Sequence, residues 1–395
     1  MKADSGPGFP EDWAQEIQTL AAQGLRRRLR TQRTPALPEV VREGRPLVNL
    51  ASNNYLGLAA DTRLVAAAHA GLERWGVGAG ASRLVTGNLE IHGELEASLA
   101  ELKGTEAALA FTSGYATNVG VLTALAGPRD HVFADSLNHA SLIDGCRQSR
   151  ATIHRYEHKD LGRLETLLRA APARGQRLIV TDSVFSMDGD LAPLRELSDM
   201  AERWGAVLVV DDAHGTGVLG PDGRGAAHLL GVEGRVPVQI GTLSKALGVQ
   251  GGFVAGSRAL VDLLLHRARS FVYSTGLAPV LASAAIAAID IARREAWRRN
   301  AQRAHLTRLR QELRAMGFAV LGEDPAPLAA VIVGAPEAAL ELAEGLETAG
   351  VLAPSIRPPT VPAGTSRIRL APMATHSVEQ IDAVLAAFRG KAPAR

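Results

Sequence analysis

The chain has 395 residues, 46% hydrophobic and 21% charged, with 43 basic against 41 acidic side chains and a formal charge of +2. That balance describes a globular protein and excludes the strong basic excess of a nucleic-acid binder, and the length makes two domains likelier than one. One cysteine, Cys146, excludes an internal disulfide or a Cys-rich zinc site, and only five lysines (Lys2, Lys103, Lys159, Lys245, Lys391) stand among the basic residues.

In chain order, Trp13, Ile17, Leu20, Ala21 and Gly24 recur at helical spacing, and Arg26, Arg27, Arg28 and Arg30 follow. The spacing predicts a helix with basic residues in its last turn, a solvated helix end. No apolar stretch marks a secretory signal near the N-terminus, and the longest apolar run, Leu277 to Ile289, is too short for a bilayer, which needs ~20 residues. A cytoplasmic protein is expected. Leu64 to Trp75 reads as a helix, so Gly76 to Ala81 does not follow a strand and is not a dinucleotide loop.

From about residue 105 the short apolar runs Ala107 to Phe111, Leu178 to Thr181, Ala206 to Val210, Val238 to Ile240 and Gly252 to Ala255 alternate with helical stretches. Strand, loop and helix repeated in this way predict parallel strands with crossovers, a three-layer α/β unit. A long helical stretch from 279 to 315 leads to Ala329 to Val333, a helix from Pro336 to Ala349, a Pro-rich turn Ile356 to Pro362, a strand Ser366 to Leu370 and a last helix. The expected division is an N-terminal extension (1–50), a large α/β domain (51–290) with a mostly parallel sheet, and a smaller α+β C-terminal domain (291–395).

Ligands of such sheets lie at the carboxyl ends of the strands. After Phe111 comes Thr112-Ser113-Gly114-Tyr115, whose backbone N–H groups could cradle an anion or simply begin a capped helix. After Val210 come Asp211, Asp212 and His214; a carboxylate there needs a cation, either a protonated cofactor nitrogen or a buried Arg. After Ile240 comes Gly241-Thr242-Leu243-Ser244-Lys245, where small residues hold an amine suited to a Schiff base. The other four lysines read as terminal or solvated. There is no Gly-x-Ser-x-Gly elbow and no phosphate-loop motif, and the eleven histidines form no close ligand cluster, so no metal site is expected.

An anion cup, an Asp after a strand and a Lys after the next strand are the parts that hold pyridoxal phosphate. Together with Ser52 to Leu58, Asn138 to Leu142, Val184 to Asp190 and Asp211 to Gly217, they make the chain resemble the α-oxoamine synthases, a family of fold-type I pyridoxal-phosphate enzymes, over nearly its whole length. Arg357 to Thr365 resembles the turn of the biotin-biosynthetic branch. The resemblance implies that Lys245 forms the Schiff base, Asp211 partners the pyridine nitrogen and His139 stacks on the ring and contacts substrate. It also implies cofactor contacts from Ser113, Gly114, Tyr115, Ser186, His214 and Thr242. Ser274 and Thr275 would reach the phosphate of a neighbouring subunit, hence a homodimer with shared sites. Arg26, Asn53, Thr360 and Arg369 would contact substrate, Arg369 through the amino-acid carboxylate.

The implied reaction condenses L-alanine with a pimeloyl thioester, carried on coenzyme A or an acyl carrier protein, with loss of carbon dioxide and free thiol. A sister synthase such as glycine C-acetyltransferase would use the same lysine on other substrates. An NAD-dependent dehydrogenase would need a strand before Gly76. A non-catalytic interaction protein on this fold would be expected to lack Lys245 or Asp211.

Overall fold

The computed structural model describes residues 9–22 and 25–391. Its largest sheet has seven strands in the order Ala107–Phe111, Gly252–Gly256, Val238–Thr242, Ala206–Asp211, Arg177–Asp182, His131–Asp135 and Thr152–Tyr156. All five apolar runs of the sequence are strands here. Neighbours are parallel except around Gly252–Gly256, which runs antiparallel to both its partners. That reversal departs from the uniform parallel rhythm. Two strands gave no apolar run: Thr152–Tyr156 is an edge strand with mostly exposed side chains, and His131–Asp135 is polar at both ends although fully buried.

Alternation along the central strands shows that both sheet faces are covered. Ile179, Leu208, Val210 and Phe253 enter one core with Leu64, Leu95, Leu168 and Leu197 from helices on that side. Leu178, Val180, Val209, Ile240 and Val254 enter the other core, with Val121, Leu122, Leu142 and Leu264 from helices opposite. The strands are therefore buried on both faces, and their carboxyl ends are where polar groups can collect.

A four-stranded antiparallel sheet (Ala319–Leu321, Ala329–Gly334, Ser366–Leu370, Ser355–Ile356) packs with the helices Ala296–Ala315 and Val378–Arg389 around a third core. The long helical stretch is two helices, Pro279–Arg294 and Ala296–Ala315, meeting at Glu295. Near the N-terminus, Glu39–Arg42 and Arg45–Asn49 form a hairpin whose second strand pairs with Val351–Leu352. The first helix, Phe9–Ala22, holds no basic residue in its last turn. This corrects the expected helix end: Arg26, Arg27, Arg28 and Arg30 lie beyond it in non-helical chain, and Arg30 is held by Glu347 at 2.6 Å and Glu43 at 3.0 Å. Gly24, the last residue of the expected periodicity, lies outside the described residues. Gly76 follows the helix Thr62–Trp75, as its sequence context implies. Among the described residues no helix is long and apolar enough to cross a membrane.

Candidate active site

Asp211 ends its strand beside Asp182, its register partner on the next strand. Both are nearly inaccessible. Asp211 Oδ1 accepts the Ala213 N–H at 2.9 Å, and its Oδ2 accepts Asn118 Nδ2 at 2.6 Å. Asp182 Oδ2 accepts the His139 N–H at 2.7 Å. Burial first, then the charge of Asp211, pushes the Asp182 carboxyl well above the usual range, as expected for two carboxylates sharing a low-dielectric site.

Lys245 sits in the turn after Val238–Thr242. Its amine is pulled below the usual lysine range by burial, against the opposing pull of Asp211 and Asp182. Among the described residues neither a hydrogen bond nor a salt bridge engages its Nζ. Such an amine is available in neutral form. Thr242 Oγ1 fixes the turn, lying 2.8 Å from the Gly251 carbonyl that it donates to and 2.7 Å from Ser244 Oγ.

Facing Thr242 is the start of the helix Gly114–Leu125. Ser113 caps it, its Oγ accepting the Ala116 N–H at 3.1 Å. A Cβ on Gly114 would touch Thr242 at 3.4 Å, and one on Gly252 would meet Gly114 N at 2.6 Å, so glycine lets helix start and strand approach closely. Tyr115 does not cover this cup from within; it is half exposed and its OH donates to Asp144 at 2.8 Å. Ser274 and Thr275 share a small recess with Thr112.

A second cluster is built around Tyr55 and Arg369. His214 Nδ1 lies 2.7 Å from Tyr55 OH, and Arg369 donates to Tyr55 OH at 3.1 Å, Asn53 Oδ1 at 2.8 Å and the Ser186 carbonyl at 2.8 Å. Burial, then Lys245 and Arg369, keeps His214 well below the usual imidazole range. His139, Ser186 and Thr360 border a cavity of about 580 Å³, whose apolar lining includes Ile143, Phe185 and Val361. Arg26 is exposed, and among the described residues no hydrogen bond or ion pair ties it to these groups. Reading the sequence gave no site role to Asp182, Asn118, Ser141 or Tyr55, although Ser141 and Tyr55 stand in segments that carry the family resemblance. Asp182 obeys the same strand-end rule that found Asp211.

The residues fit pyridoxal phosphate by the chemistry of their donors and acceptors. A capped helix start with hydroxyls opposite suits a phosphate. Asp211 is a buried carboxylate that, among the described residues, no salt bridge engages, so a protonated ring nitrogen would balance it. Lys245 supplies the amine.

The aminotransferase class I and II family model matches residues 45–388. An 8-amino-7-oxononanoate synthase of Anaeromyxobacter dehalogenans is 50% identical over 383 residues, 97% of this chain and 96% of that one. Among solved structures, the serine palmitoyltransferase of S. paucimobilis with bound PLP–myriocin superposes with a TM-score of 0.91 at 32% identity, covering 96% of each chain. An 8-amino-7-oxononanoate synthase of Francisella tularensis superposes with a TM-score of 0.75 at 25% identity, covering 87% of this chain and 97% of that one. The chain thus belongs to the aminotransferase class I and II family and, within it, to the 8-amino-7-oxononanoate synthases, enzymes of the fold-type I, pyridoxal-phosphate-dependent class.

Proposed function

We propose that this chain condenses L-alanine with a pimeloyl thioester, releasing carbon dioxide and free thiol and forming 8-amino-7-oxononanoate for biotin biosynthesis. The observation that carries the reading is Lys245: a desolvated amine beside two buried carboxylates, with its pull toward the neutral form dominated by burial.

Lys245, Asp211, Ser113, Gly114, Thr242, Ser186 and His214 would hold the cofactor, with Tyr115 at its rim and Ser274 and Thr275 serving the phosphate of a partner subunit in a homodimer. Bound there, pyridoxal phosphate supplies an electron sink for the amino acid's α-carbon. Lys245 Nζ, in neutral form, removes the Cα proton and later returns one. Asp211 keeps a proton on the ring nitrogen. Arg369, fixed by Asn53 and Ser186, holds the amino-acid carboxylate. His139 hydrogen-bonds the acyl oxygen as charge grows there. The cavity between His139 and Thr360 takes the acyl chain, the apolar part of its lining suiting a methylene run. Arg26 would reach substrate only if the exposed segment after the first helix folds over the cleft. The single cysteine, buried Cys146, fits a cytoplasmic setting.

The test is spectral and kinetic. The purified protein is expected to be yellow, to lose that colour on borohydride treatment, and to change spectrum with L-alanine. Thiol release is expected with L-alanine plus pimeloyl-coenzyme A or a pimeloyl carrier protein, and comparing the two donors identifies the carrier. Turnover of glycine with an acetyl thioester in their place would move the chain to a sister synthase.

A further inference from the structure

Asp211 ends a strand and His139 precedes a helix, yet two buried side chains connect them. Asn118 Nδ2 is 2.6 Å from Asp211 Oδ2 and 2.7 Å from Ser141 Oγ, and Ser141 Oγ is 2.7 Å from His139 Nδ1. Asn118 and Ser141 are each 1% exposed, so solvent does not compete for these bonds. The donor and acceptor inventory then fixes their direction. A carboxylate accepts only, so the Asn118 nitrogen faces it; the reversed amide would set Oδ1 against Asp211. The second N–H of Asn118 goes to Ser141 Oγ. Having accepted it, the hydroxyl keeps its own hydrogen for His139 Nδ1, a direction that the next contact requires, since a backbone N–H can only donate. The Ser141 backbone N–H approaches the same ring nitrogen at 3.3 Å. A ring nitrogen that receives donors carries no proton.

We infer that Asn118 and Ser141 are positioning residues that hold His139 as the neutral tautomer protonated on Nε2, so that a hydrogen-bond donor, oriented from Asp211, is presented to the cleft. Among the described residues no hydrogen bond engages Nε2, and His139 borders the cavity. The catalytic consequence rests on the role given to His139 above: Nε2–H can donate to an acyl oxygen, whereas the other tautomer would present a lone pair and repel it. The groups facing His139 are Asp211, Asp182, Lys245, His214 and, on its own helix, Asp144. Burial holds the imidazole below its usual range against the pull of Asp211 and Asp144, and donors on Nδ1 act in the same direction as burial.

The experiment labels the ring nitrogens of histidine with ¹⁵N in the full chain and assigns His139 by loss of its signals in His139→Gln. Two-bond proton–nitrogen correlation reports which nitrogen bears hydrogen. The expected result is a proton on Nε2 in the wild type. In Ser141→Ala the His139 titration should move up by about one pH unit and the acid limb of kcat/KM should move with it, with Ser141→Thr restoring both. A proton on Nδ1 in the wild type, or an unmoved His139 titration in Ser141→Ala, overturns the inference. The ring signals decide the tautomer whatever the acyl donor, whereas failure of the unmodified chain to turn over L-alanine with pimeloyl thioesters bears on the functional reading alone.

Discussion

Lys103 and Lys245 both lie near the end of the strand Ala206–Asp211, Lys103 buried and Lys245 partly exposed, and they differ most in their partners. Lys103, 2% exposed, is fully engaged: Nζ donates to Asp212 Oδ2 at 2.8 Å, the Arg224 carbonyl at 2.7 Å and Thr216 Oγ1 at 3.3 Å. Asp212 is saturated in turn, accepting from Ser183 Oγ at 2.6 Å and from the Ala226 N–H at 3.2 Å. Lys245 has carboxylates nearby without an ion pair. Burial alone therefore does not make a lysine reactive; desolvation without a bonded counter-charge lowers the amine's pKa and makes its neutral form more accessible. The adjacent aspartates divide accordingly: Asp212 ties the turn to the fold, leaving Asp211 for the cleft.

The sharpest way to break this contrast is to remove each amine. Lys245→Ala is expected to lower kcat by more than about 10³-fold, measured as thiol release, with the melting temperature of the apoprotein unchanged or raised. Lys103→Met leaves Asp212 buried without its cation and should cost roughly 3–5 kcal/mol in denaturant unfolding. Adding Asp212→Asn should recover part of that loss, since the pair couples directly. If Lys103→Met were as stable as wild type while losing activity, the two lysines would have to exchange roles.

A third measurement uses pH. The Lys245 amine titrates lower in the folded chain than in the unfolded one, so between the two values the unfolded state binds more protons and stability rises with pH. Lys245→Met should therefore stabilise the apoprotein by about 1 kcal/mol near pH 7, a gain that shrinks as pH climbs toward about 10.4. A gain that stays constant over that range would show that the amine is not depressed.

The strand-end rule made much of this legible. Asp211, Thr242 and Lys245 follow apolar runs, and the runs themselves are central strands whose both-face burial leaves no polar alternation to obscure them. Lys103 was misread as solvated because it closes the helix Glu90–Lys103 just before Gly104, where a lysine ordinarily complements the helix dipole. Its partner is 109 residues away, and only the fold brings the two together. Asn118 escaped notice for a similar reason: within its own helix it is one polar residue among small ones, and its meaning comes from Asp211 and Ser141 on other elements. Asp182 stands directly after the run ending at Thr181, as Asp211 does after Val210, so the strand-end rule reaches it; that the two carboxylates are register partners is set by the pairing of their strands and carries no local signal.

Lys159 is the intermediate case, and it sets the lower end of the scale. Its Nζ pairs with Asp190 at 2.9 Å and Glu323 at 3.2 Å, but the side chain keeps 30% exposure and Glu323 keeps 53%. Burial lowers its pKa and the bonds to Asp190 raise it, the net direction being upward. A raised amine contributes stability that is present below the unfolded value and is lost only as pH rises through the folded one, so no change is expected across neutral pH. Solvent screens the pair, and His158, raised to about 9 and bonded to Asp190 at 2.8 Å, would still neutralise that carboxylate at pH 7. Lys159→Ala should therefore cost no more than about 1 kcal/mol in denaturant unfolding at pH 7. A loss near that of Lys103→Met would mean that a counter-charge matters more than enclosure, and the stabilising role of Lys103 would then rest on its bonded partners and not on its burial.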